Sequence, residues 1–122
     1  MVQAYYNSYT AQKLTRRELL VLAEIGDDAI DSASSFVSYM SESYGFSKSS
    51  VWYNLNKLRE LGLVEFEPHK ELRLTANGIM RHNSLGSNKT RLIDMFSSMF
   101  LERLGERNSL GFRGELERVH MQ

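Results

Sequence analysis

Apolar residues Leu19, Leu20, Leu22, Ala23 and Ile25 recur at helical spacing. Thr15 stands three positions before Glu18, the pattern of a capping box, so a first helix begins there and Gly26 ends it. A second helix is predicted from Ile30 to Tyr44, where Ile30, Ala33, Phe36, Val37, Met40 and Tyr44 repeat at steps of three and four. Gly45 is its stop. Ser47 then caps a third helix to Leu61, whose buried stripe is Val51, Leu55, Leu58 and Leu61 and whose end is Gly62. Two helices thus meet across a short turn that contains glycine, the sequence pattern of a helix-turn-helix.

The period then changes. Val64 and Phe66 alternate with Glu65 and Glu67, and Leu72 and Leu74 flank Arg73, which reads as a β-hairpin turning at Pro68 to Glu71. Thr75 caps a short helix through Arg81, and residues 84–88 form a loop. From Lys89 to Leu104 a longer helix carries Leu92, Ile93, Phe96, Met99, Phe100 and Leu104 on one side. The tail from Gly105 reads as a weak helix or a partly ordered end, and Tyr5, Tyr6 and Tyr9 suggest an N-terminal segment docked on the domain. The expected fold is mainly α with a small hairpin (α+β). Residues 1–85 form a winged helix-turn-helix domain, and residues 86–122 supply a dimerisation helix and tail.

One domain fits 122 residues. The absence of cysteine excludes disulfides, thiolate metal sites and thiol redox switches. His69, His82 and His120 lack metal-site spacing, and no cofactor is expected. No apolar run approaches the roughly 18 residues of a membrane helix, and no signal peptide is evident, so a cytoplasmic protein without membrane contact is expected. Glycine-rich phosphate loops, paired helical histidines and nucleophile elbows are missing from the sequence, so an enzyme is not expected.

The net charge of zero argues against a nucleic-acid partner, but its distribution does not. Residues 14–44 hold two arginines against six carboxylates, whereas residues 45–91 hold eight cations against four glutamates. A basic middle can face phosphate. With Val51, Leu55 and Leu58 inward, Lys48, Ser49, Trp52, Tyr53, Asn56 and Lys57 fall on or beside the outer face of the third helix. Hydroxyls and amides there suit base edges, lysines suit phosphates, and rings suit thymine methyls. Ser47 to Ser50 also present a helix N-terminus to an anion. Trp52 is equally a candidate for the core. Lys70 and Arg73 are the hairpin's candidate phosphate contacts, with His69 a lesser one, although the neighbouring glutamates temper that charge.

The stretch from Phe46 to Val64, FSKSSVWYNLNKLRELGLV, resembles the recognition helix of MarR and PadR family regulators, and Leu74-Thr75-Ala76-Asn77-Gly78 resembles their step out of the wing. The likeness covers residues 14–82, and the PadR family is the nearer of the two, with Trp52 where its members usually carry tyrosine. It implies contacts to double-stranded DNA from Ser49, Ser50, Trp52, Tyr53 and Lys57, wing contacts near Lys70 and Arg73, and a homodimer joined through the C-terminal helix. A transcription regulator follows from these expectations. The alternative is a winged helix that binds protein within a larger assembly.

Overall fold

The computed structural model describes residues 13–26 and 29–111. Among them are five helices and one two-stranded hairpin. Tyr5, Tyr6 and Tyr9, and the tail beyond Gly111, lie outside the described residues.

Helix α1 (Arg16–Ile25) opens on the expected capping box. The Glu18 amide donates to Thr15 Oγ1 at 3.1 Å, and the Thr15 amide donates back to Glu18 Oε1 at 2.8 Å, so two otherwise unpaired N–H groups are satisfied. Helix α2 (Ala33–Tyr44) starts three residues later than the periodicity predicts. Ser32 is its cap, accepting from the Ser35 amide, and Ile30 is drawn instead into a β-bridge with Leu72. Both backbone bonds of that bridge measure 2.9 Å. Ile30 is apolar at the right interval for the helix, yet its partner is 42 positions downstream, beyond the reach of a local pattern.

Helix α3 (Lys48–Glu60) follows after Gly45-Phe46-Ser47. Gly45 adopts φ 73° and its amide closes α2 by donating to the Ser41 carbonyl at 2.9 Å. Strands β1 (Val64–Glu65) and β2 (Arg73–Leu74) pair antiparallel, with Val64 opposite Leu74 and Glu65 opposite Arg73. The hairpin is thus shorter in its ladder than in its alternation. Helix α4 (Ala76–Asn83) is capped by Thr75, and helix α5 (Asn88–Gly111) runs past Gly105, where the sequence suggests an end. One interior glycine costs about 1 kcal/mol, too little to stop a helix whose neighbours on both sides keep bonding.

One core joins these elements. Leu20, Val21 and Leu22 of α1, Val37 and Met40 of α2, Val51, Leu55 and Leu58 of α3, and Val64 and Leu72 of the hairpin are essentially without solvent contact. Helix α5 lies over α1 and α2. Phe96 meets the edge of Phe46 at 5.6 Å between centroids, Tyr44 stacks on Phe46 at 5.7 Å, and the Arg17 guanidinium lies 4.4 Å over the same ring. Glu24 accepts the hydroxyls of Tyr39 and Tyr44, each at 2.8 Å, tying α1 to α2. Burial first, and then the Glu24 carboxylate, push the Tyr44 phenol upward from its ordinary value. His82 of α4 is buried, and its Nδ1 lies 2.9 Å from the Leu22 carbonyl. Since a carbonyl only accepts, that nitrogen carries the proton. No helix among the described residues is long and apolar enough to cross a membrane.

The stripe assigned to dimerisation divides in two. Phe96, 7% exposed, belongs to the chain's own core. The Phe100 ring closes on Gly45, within 2.5 Å of where a β-carbon would stand. Leu92 and Ile93 are half-buried against the core, and Leu104 is also half-buried. Met99 remains 45% exposed, joined by Leu101 at 66%, a residue the periodicity leaves off the stripe. The aromatic half of the stripe is therefore intrachain packing, which widens the apolar face without any second subunit.

Candidate functional site

At 100° per residue, the buried side of α3 is centred on Val51, Leu55 and Leu58, and the opposite ridge carries Ser49, Tyr53, Asn56 and Glu60. Tyr53 is 66% exposed, unusual for so large an aromatic side chain. Ser47 caps the helix by accepting from the Ser50 amide at 3.2 Å. Its hydroxyl also lies 2.8 Å from that of Ser50 and 3.3 Å from that of Ser49, which gathers three hydroxyls at the positive end of the helix dipole.

Cations flank this ridge on both sides. Lys57 and, from α1, Arg17 stand on one side, while Lys48 and Arg59 stand on the other. Lys48 and Lys57 are exposed, and neither pairs with a carboxylate among the described residues. Arg17, Ser49, Ser50, Tyr53 and the buried Asn54 line a cleft of about 260 Å³. On the other flank a groove of about 350 Å³ runs between the N-terminus of α2, at Ser32 to Ser34, and the hairpin residues Phe66 to His69. Trp52 forms part of its wall.

Trp52 is half-buried, with its ring 6.2 Å from Phe66. It packs the hairpin against α3 and leaves only part of itself for a ligand. Arg59 lies 4.4 Å over Phe66 and donates to Asn56 Oδ1 at 2.8 Å, so one amide acceptor on the ridge is already engaged. Arg17, Arg59 and Asn54 are absent from the sequence-derived site. Arg59 carries a legible signal, since it falls on a flank of α3 by spacing alone. Arg17 reaches the site only through the packing of α1.

The hairpin pairs the charges that its sequence sets side by side. Lys70 lies 2.9 Å from Glu67, and Arg73 lies 2.6 Å from Glu71 and 3.7 Å from Glu65. The pairing of Lys70 with Glu67 raises the lysine and lowers the carboxyl from their usual ranges, the shared hydrogen bond being the larger cause. All these side chains are solvated, so the pairs are weak, but they leave the hairpin with no surplus of positive charge. The α3 face, with the unpaired Lys48 and Lys57 about a ridge of hydroxyl, phenol and amide groups that ends on the Glu60 carboxylate, can hold a polyanion along its flanks and form hydrogen bonds along its crest. Comparison with protein families, curated proteins and solved structures finds no match for this chain.

Proposed function

We propose that this chain is a sequence-specific DNA-binding transcription regulator of the winged helix-turn-helix kind, nearer to PadR than to MarR regulators. Helix α3 enters the major groove, and the hairpin is the wing. The observation that carries this reading is the two-sided character of α3: one side wholly inside the core, the other a polar ridge between unpaired cations. A helix held this way presents its ridge to base edges while Lys48 and Lys57 reach the two backbones that bound the groove. Order of elements supports it as well, with helix, helix, helix, hairpin and helix in sequence and Ile30 adding a rudimentary third strand beside Leu72.

Retardation of the gene's own upstream DNA, repeated across salt concentrations, tests the proposal. Binding that weakens steeply as salt rises is the expected result, because phosphate contacts release counterions. Absence of binding even at low salt would favour a winged helix that contacts protein, a reading to which the internally paired charges of the hairpin lend support.

The same reading makes the regulator a homodimer that sets two α3 helices about 34 Å apart on a roughly palindromic site. Met99, exposed on α5 and on one face with the half-buried Leu92 and Met95, supports pairing. Light scattering is expected to give about twice the 14.1 kDa of one chain, and Met99→Glu a folded monomer. A parent protein at the single-chain mass would end the pairing model.

A further inference from the structure

His69 is the residue of the hairpin that departs furthest from ordinary backbone geometry. The Lys70 amide donates to the Glu67 carbonyl at 3.1 Å, closing a turn with Pro68 and His69 at its centre. His69 takes φ 64° there, the one non-glycine residue with positive φ among the described residues. Glycine or asparagine is the usual occupant of that corner, and an L side chain is held in it at some cost. The imidazole is exposed, makes no hydrogen bond or ion pair among the described residues, and lines the grooves on both sides of Phe66.

Its charged surroundings are nearly balanced without it. Lys70 is held by Glu67, and Arg73 by Glu71 and Glu65, which leaves the hairpin one carboxylate in excess. Asp31, ahead of α2, and Arg59, on α3, face the same groove with opposite signs. A hairpin in that state offers phosphate no free cation. Imidazole alone among side chains changes charge between about pH 5 and pH 8 without perturbation.

We infer that protonated His69 is the cation this hairpin presents to the DNA backbone, so that DNA binding takes up a proton and strengthens as the pH falls. The inference rests on the proposed DNA-binding function. The sign follows from linkage. A phosphate beside the ring favours the charged form, so the complex binds one proton more than its separate partners. The added affinity is therefore present at low pH and is lost as the pH rises. One charge-assisted contact corresponds to a change of roughly tenfold.

Fluorescence anisotropy with a mixed-sequence duplex at low salt tests this at about pH 5.5 and about pH 8. The parent is expected to bind roughly tenfold tighter at the lower pH. His69→Asn keeps a residue that tolerates positive φ and removes the charge, and it should bind equally at both, at the parent's weaker level. His82 and His120 remain in that variant. An equal pH response in parent and variant would assign the effect to them and overturn the inference, as would a parent indifferent to pH. A parent that binds no duplex at either pH removes the DNA-binding proposal itself and this inference with it, an outcome distinct from binding without a His69 contribution.

Discussion

Gly78→Ala is expected to cost on the order of 3 kcal/mol or more, a large share of a small domain's stability. Gly78 lies in the first turn of α4, and its amide donates to the Thr75 cap at 3.1 Å. The Thr75 hydroxyl donates in turn to the Gly62 carbonyl, and the Thr75 amide to the Leu63 carbonyl at 3.0 Å. These bonds clamp α4 against the end of α3. A β-carbon at Gly78 would overlap the Leu63 carbonyl and press on Leu74 Cβ at 3.3 Å. The obstacle is backbone, so no side chain can rotate away. Helix propensity works the other way, favouring alanine by up to about 1 kcal/mol, and is outweighed. Gly105 is the control, because nothing lies within 4 Å of the position its β-carbon would take. Gly105→Ala should raise the melting temperature while Gly78→Ala lowers it sharply. Similar melting of the two variants would show that α4 does not approach the hairpin as described.

The second large effect belongs to the proposed DNA contact. Lys48→Glu combined with Lys57→Glu should lower affinity on the order of a hundredfold or more at low salt, with little change in melting temperature. Both lysines are exposed and outside the core, so folding does not depend on them. They lie on opposite flanks of α3, where each would meet a different strand's backbone. Losing both should also flatten the dependence of binding on salt by about two units of slope and should do so on every sequence alike. Unchanged affinity would mean that the flanks of α3 are not the contacting surface. A loss confined to one sequence would make these lysines base readers.

Much of this architecture is legible in the chain because it is local. Thr15, Ser32, Ser47 and Thr75 each accept an amide three positions on, and the buried stripe of α3 follows directly from the spacing of Val51, Leu55 and Leu58. Serine spacing could have placed the start of α2 at Ser32, but the apolar Ile30 outweighs it in a periodicity count. The leucine-threonine-x-x-glycine step also has a local part, the cap. Its glycine requirement is tertiary, set by the Leu63 carbonyl.

What stayed hidden depends on residues far apart in sequence. Nothing about Phe96 or Phe100 says that Phe46 and Gly45 await them, so their apolar stripe looks wide enough for a partner. The glutamates beside Lys70 and Arg73 are visible in the sequence, and the folded hairpin adds which pairs form, Lys70 with Glu67 and Arg73 with Glu71 and Glu65. Arg17 joins the α3 site through the packing of α1, which no spacing rule encodes.

Phe46 stands one residue ahead of the α3 cap and touches Arg17, Tyr44 and Phe96 together. It works as a pivot pin. That ring, packed between Arg17 of α1 and Phe96 of α5, ties the start of α3 to both helices. In a pair of subunits joined along α5, the separation and pitch of the two α3 helices would be set by how the α5 helices cross, as the jaws of a caliper are set by its beam. In the proposed DNA-binding dimer such a device would measure one distance well and accommodate others poorly, so two half-sites moved apart by even a single base pair would present themselves at the wrong angle as well as the wrong spacing.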